Sequence, residues 1–189
     1  VEVDGDNVTV TVTDKATGTT TETVTDTKTG AETVTKTESK KVGEVTTKTE
    51  TVTEKNAAGD TIKVTESKIV ENNENGKTET KTTVDGKTVK TDVTVNQAPA
   101  TASDVTLNAK ALEGKAAGTD TSSVTVDKAS LNELKNDTVK DVIIDTDQAT
   151  LKLDKTAVKT MEGMVPTDGK MTLNVKVTEE KNASKTEIE

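Results

Sequence analysis

Residues 19–38 read Thr19-Thr20-Thr21-Glu22-Thr23-Val24-Thr25-Asp26-Thr27-Lys28-Thr29-Gly30-Ala31-Glu32-Thr33-Val34-Thr35-Lys36-Thr37-Glu38. Two runs of alternating β-branched residues flank a Thr-Gly pair, which is the signature of two strands joined by a turn. A period of two puts Thr21, Thr23, Thr25 and Thr27 on one side, with Glu22, Val24, Asp26 and Lys28 on the other. Thr33, Thr35 and Thr37 likewise oppose Glu32, Val34, Lys36 and Glu38, and Thr47, Thr49, Thr51 and Thr53 oppose Lys48, Glu50, Val52 and Glu54.

Working outward, the pattern recurs near residues 8–14, 19–28, 31–41, 44–54, 60–70, 77–84 and 87–96. Thr17-Gly18, Thr29-Gly30, Val42-Gly43, Ala58-Gly59-Asp60, Asn75-Gly76 and Asp85-Gly86 separate the runs. The Asn-Gly and Asp-Gly pairs predict two-residue type I′ hairpins. The economical reading is a single-layer antiparallel meander with a hydroxyl-rich face, a Lys/Glu face and no interior. Backbone ladders, Thr–Thr neighbours and cross-strand Lys–Glu pairs, each contributing about 0.2 to 1 kcal/mol, would hold it. Val8, Val10 and Val12, with Ile62, Val64, Ile69 and Val70, are the places for local packing. The same polarity would suit a disordered stalk, but the Val/Thr bias and regular turns favour a sheet.

Composition changes at Ala98-Pro99-Ala100. Thr supplies 28 of residues 1–97 and 14 of residues 98–189, while Leu goes from none to seven. Two domains follow, 1–97 and 98–189, with residues 97–103 as linker. Within the second, Val124-Thr125-Val126-Asp127-Lys128-Ala129-Ser130-Leu131-Asn132-Glu133-Leu134 matches Leu151-Lys152-Leu153-Asp154-Lys155-Thr156-Ala157-Val158-Lys159-Thr160-Met161 at an offset of 27. In each copy a strand runs into an aspartate N-cap and then a short helix, with Leu131 and Leu134, or Val158 and Met161, one turn apart. Strands at 139–145 and 171–178 follow, so two β-α-β units can pool their apolar faces into a small core. Val105 and Leu107 predict one more strand, and residues 182–189 are expected to fray. The fold class is mainly β, a single-layer antiparallel meander followed by a small α+β domain.

Function is bounded mostly by exclusion. The 189 residues include no Phe, Trp, Tyr, His or Cys, and all 25 cationic residues are lysines, against a net charge of −9. The usual ligands for zinc, copper, haem and iron–sulfur clusters are missing, as are the imidazole base and thiol nucleophile. An acidic chain without Arg or aromatic residues is a poor nucleic-acid binder. No run approaches the ~20 apolar residues of a membrane span, and Val1-Glu2-Val3-Asp4 has the character of neither part of a signal peptide. Asp4-Gly5-Asp6-Asn7 and Asp145-Thr146-Asp147 could offer oxygens to Ca²⁺, but neither continues into a loop with a distal bidentate carboxylate, so turn chemistry explains them better. Ser39 and Lys40 are strand neighbours and point to opposite faces. Catalytic, cofactor-binding and metal-binding residues are all expected to be none, and the chain is expected not to be an enzyme. The Thr-x-Thr rows suggest an ice-binding hydroxyl lattice, which the uneven turn spacing of 12, 13, 16, 17 and 10 residues argues against.

The Thr/Lys/Glu strands broken by Gly turns, followed by Val-Thr-Val-Asp-Lys-Ala-Ser-Leu and Leu-Lys-Leu-Asp-Lys-Thr-Ala-Val, resemble modules of large secreted surface proteins of gut Gram-positive bacteria. Such proteins carry these modules upstream of S-layer homology domains or other wall anchors. This sequence has neither an S-layer homology repeat nor a Leu-Pro-x-Thr-Gly signal, and the resemblance implies an internal segment whose export signal and anchor lie elsewhere. It further implies an extracellular place on the bacterial cell surface and carries over no catalytic residue. Lys–Asn or Lys–Asp isopeptide bonds occur in Gram-positive surface proteins; they need a buried acid in an apolar, often aromatic setting, and none is expected here. The leading reading is a non-catalytic structural spacer. The alternative is an adhesin or ligand-binding module for a glycan or host surface, with wall polymer, glycan or neighbouring domains of the same protein as partners.

Overall fold

The computed structural model describes residues 1–73, 75–111, 121–146 and 148–176. Eight strands follow one another along the chain: β1 Glu2–Asp4, β2 Asn7–Thr13, β3 Thr20–Asp26, β4 Glu32–Val42, β5 Val45–Lys55, β6 Thr61–Asn72, β7 Lys77–Val84 and β8 Lys87–Val95. Each pairs antiparallel with the next, so the spatial order is the chain order. This is the expected antiparallel meander. No described residue before Thr88 is buried.

The turns explain the hairpins. Asp85 (φ 49°) and Gly86 (φ 78°) both take the left-handed conformation between paired Val84 and Lys87, as a type I′ turn requires. Asn75-Gly76 departs from the expected two-residue turn. Asn72 pairs with Lys77 across a four-residue connection, where Asn75 Oδ1 accepts from Lys77 N–H (3.1 Å) and Glu44 O accepts from Asn73 N–H (3.0 Å). The side-chain amide closes a local turn in competition with the ladder. The strand β1 was not expected; Gly5 (φ 57°) folds it back so that Asp4 pairs with Asn7. Only Asn7, Val8 and Thr9 of β2 pair with β1, so among the described residues the outer side of Val10–Thr13 has no partner strand.

Beyond β8 the large sheet continues. β11 (Thr121–Asp127) pairs parallel with β8 at Asp92–Thr125 and Val93–Val126, and antiparallel with β10 (Lys110–Ala111) and β14 (Lys170–Lys176). A second sheet has the order β13 (Thr150–Leu153), β12 (Val139–Asp145) and β9 (Ser103–Asn108). The helices are α1 (Lys128–Leu134) and α2 (Lys155–Met164). Asp127 Oδ1 accepts from Ser130 N–H (2.7 Å) and Asp154 Oδ1 from Ala157 N–H (2.8 Å), so both aspartates cap as their spacing predicts.

The repeated units do not form two β-α-β crossovers within one sheet. From β11, α1 leads to β12 in the small sheet; from β13, α2 leads back to β14 in the large one. Each copy thus crosses between sheets, and β11 pairs with β14 while β12 pairs with β13. The reason is that the two sheets and helices share one core. Leu107, Val124, Val126, Leu131, Leu134, Val139, Val142, Ile144 and Val158 are at most 1% exposed, and Val93 and Val95 of β8 join them. The composition break at 97/98 lies in the connection between β8 and β9, so this core draws two valines from its N-terminal side. The expected strand 171–178 is described as far as Lys176; the expected fraying at 182–189 lies outside the described residues.

Candidate functional site

The meander offers two broad faces, and register decides what each displays. Val10 pairs with Thr23, Thr23 with Val34, Val34 with Thr53, and Thr53 with Val64, so these five share one face. On the opposite face Thr11 pairs with Glu22, Glu22 with Thr35, Thr35 with Val52, and Val52 with Thr65. From β2 to β6, then, each face alternates threonine columns with columns of Val, Lys and Glu. The expected division into a hydroxyl-rich face and a Lys/Glu face is not what forms.

The cause is turn parity. Odd-numbered threonines predominate in β3, β4 and β5, and the connections from β2 to β5 enclose even numbers of residues, as with Gly43-Glu44 between paired Val42 and Val45, while the five-residue β5–β6 connection reaches the same parity through the register shift between Glu54 and Lys55. An even connection pairs odd positions with even ones, which sends the threonine row to the other face at every strand. Threonine columns on one face are therefore about 10 Å apart, twice the strand spacing, and the adjacent hydroxyl rows on which an ice-binding lattice depends are not formed there.

The same spacing governs the ion pairs. A charged column has threonine columns on both sides, so the nearest opposite charge is often two residues along its own strand. Lys36–Glu38 (2.6 Å), Lys90–Asp92 (2.8 Å) and the looser Lys48–Glu50 (3.9 Å) are of this kind, and Lys77–Glu79 (3.1 Å) has the same spacing along β7 but is flanked by Asn72 and Val70 on β6 and by Val95 and Val93 on β8. Cross-strand pairing occurs where register opposes the charges directly, at Glu32–Lys55 (3.6 Å) and Glu54–Lys63 (2.9 Å). Most of these are exposed pairs of small energetic value.

The positions weighed from sequence fall out as follows. Gly5 and Asp6 make the β1–β2 turn, where Asp6 pairs with Lys28 and its carbonyl accepts from Thr27 N–H and Oγ1–H (both 2.8 Å). Asp145 ends β12 and accepts from Thr150 Oγ1–H (3.2 Å), while Asp147 lies outside the described residues. Ser39 pairs with Lys48 and Lys40 with Thr47, on opposite faces. Among the described residues no group of three acidic, His or Cys side chains is gathered that could hold a metal ion. No described helix is long and apolar enough to cross a membrane.

Polar convergence is found instead where the second half docks on the meander. β9 lies over β7, and Lys77 Nζ donates to Thr106 O (2.8 Å) while pairing with Glu79 Oε1 (3.1 Å). The same Oε1 accepts from Asn108 Nδ2–H (2.8 Å). Lys77 is 16% exposed and Glu79 23%, the former being the most enclosed lysine among the described ion pairs. A cleft of about 280 Å³ opens beside Lys77, lined also by Asn75, Val95, Pro99 and Ser103. Another of about 160 Å³ lies next to Glu79 and Asn108, between Lys68, Lys81 and Thr91. Sequence reasoning missed this junction. Its one local signal is Lys77-x-Glu79, which is indistinguishable from the other Lys/Glu repeats.

A second polar knot ties the helices. Glu162 pairs with Lys128 (2.8 Å) and Lys135 (3.3 Å), and hydrogen bonds from both lysines hold its carboxyl below the ordinary 4.5. Lys128 Nζ also donates to the carbonyls of Glu162 and Val165, so the first residue of α1 satisfies carbonyls at the C-terminal end of α2.

No family model, curated protein or solved structure matches this chain.

Proposed function

We propose that the chain is a non-catalytic spacer segment of a bacterial cell-surface protein. The observation that carries this reading is the meander itself: eight strands in one continuous ladder, with no buried residue among the described residues before Thr88. Eight strands at ~4.8 Å give a plate roughly 35 Å across, in which β1 to β7 rest on backbone hydrogen bonds and only β8 joins the hydrophobic core. Alternating threonine and charged columns keep both faces wetted, and the net charge of −9 opposes association in a crowded layer. The surface location rests on the resemblance of the strand and strand-cap-helix modules to Gram-positive surface proteins, and the non-catalytic reading on a composition without His or Cys.

A second reading, an adhesin or glycan-binding module, draws on the two clefts where β7 and β9 meet. Full-length protein on arrays of mucin glycans and wall polymers separates the two. A spacer gives no saturable signal. Saturable binding that Lys68→Ala or Lys81→Ala abolishes, with the far-UV circular dichroism spectrum unchanged, would replace the spacer with the adhesin.

A further inference from the structure

The alternation of threonine and charged columns breaks between β6 and β7. Threonines take even positions in β7, at Thr78, Thr80 and Thr82, so its charged column stands beside the charged column of β6. Lys68 thereby lies directly opposite Lys81, the one pair of like charges opposed in register among the described residues. Like charges placed so repel. Although the chain carries 34 acidic residues against 25 lysines, neither ammonium makes an ion pair or hydrogen bond with a described residue.

The row continues into Thr91 of β8, the register partner of Lys81. Thr91 is 5% exposed, and its Oγ1 has no hydrogen-bond partner. A buried hydroxyl left in that state is costly. All three side chains line the cleft of about 160 Å³. Two uncompensated ammoniums and an orphaned hydroxyl lack the same thing, an acceptor oxygen bearing negative charge. We infer that the row Lys68–Lys81–Thr91 binds the phosphate or sulfate ester group of a sugar.

Side chains directly opposite on neighbouring strands start about 5 Å apart, so both ammoniums can donate to one tetrahedral group while a further oxygen accepts from Thr91 Oγ1–H. Such charge-assisted bonds are the strong ones. Glu79 is the one carboxylate that lines the cleft, and its Oε1 is already taken by Lys77 (3.1 Å) and Asn108 Nδ2 (2.8 Å). Its charge is met from β7 and β9 and does not neutralise Lys81. Lys41, by contrast, stands on the opposite face, opposed only by Thr46 on β5. The site names a ligand class for the adhesin reading, on which its biological use rests.

Calorimetric titration of the full chain at low ionic strength tests it, with galactose 6-phosphate, galactose 6-sulfate and galactose as probes. Saturable binding of an ester and none of galactose is expected, and preference between the esters separates a phosphorylated source from a sulfated one. Lys68→Gln and Lys81→Gln should each weaken the ester about tenfold or more, as loss of a hydrogen bond to a charged group does. Lys41→Gln removes the same charge from the other face and should leave affinity unchanged. Thr91→Val separates ligand from fold: it removes the orphaned hydroxyl, so the urea midpoint of the unliganded chain should rise while the ester binds more weakly. No binding of either ester, or an equal loss in Lys41→Gln and Lys68→Gln, overturns the proposal. Galactose bound as tightly as its esters also overturns it, but leaves the adhesin reading standing. Unchanged affinity in Thr91→Val overturns the part given to Thr91.

Discussion

Single residues matter most where polar groups are locked into the packed half. Ser130 is 0% exposed, and its Oγ accepts from Val95 N–H (2.9 Å), joining α1 to the last strand of the meander. Ser130→Ala leaves that amide without its partner in a buried place, which costs about 1–3 kcal/mol, read as a lower urea midpoint. Glu162 gives the chain an acid-sensitive point. Its carboxyl is held below the ordinary 4.5, so in the folded state it stays ionised further into acid than in the unfolded chain. The stability it contributes is present above the unfolded value and is lost as pH falls from there through the depressed folded value. Thermal melts on acidification should fall less steeply in Glu162→Gln than in the wild type over that window. None of this was visible in the sequence, where Glu162 and Ser130 are ordinary helix residues. Their roles come from Lys128 and Val95, which the fold brings from other elements.

At the scale of elements the sequence was far more legible. Seven strands and most turns could be placed because period two and punctuating glycines are local signals, and both helix caps followed from an aspartate at the right spacing. Face content was also within reach, since odd-numbered threonines and even connections together force the alternation; treating each strand by itself hid it. The sheet-crossing paths of α1 and α2 were not within reach. They follow from where Leu131, Leu134 and Val158 find a common core. Removing the cap in Asp154→Ala should destabilise by roughly 1 kcal/mol. Leu131→Ala, which opens a cavity in that core, should cost about 2–5 kcal/mol. Val34→Ala, on a half-exposed face, should cost less than either substitution. Urea titrations of the three variants test the order.

Across the whole molecule, burial rises from one end to the other. Strands β1 and β2 are largely exposed, β3–β7 are at most half-buried, and β8 forms the floor of the core. Local opening costs least where few apolar contacts must be broken. Amide hydrogen exchange on the full chain should therefore be fastest in β1–β2 and slowest in β8, β11 and α1, with the inner meander strands between. Uniform protection from β2 through β11 would mean that the sheet opens as one unit. The open construction has a further consequence for how such a chain changes over generations. A protein with an enclosed centre cannot lose a strand without leaving a hole, whereas here a hairpin such as β3–β4 could be removed or duplicated with no void to fill. Because each strand reverses the chain direction, such changes preserve the outgoing direction only in pairs. The reach of the molecule is thus a quantity that selection can adjust in steps of one hairpin, leaving the packed half untouched.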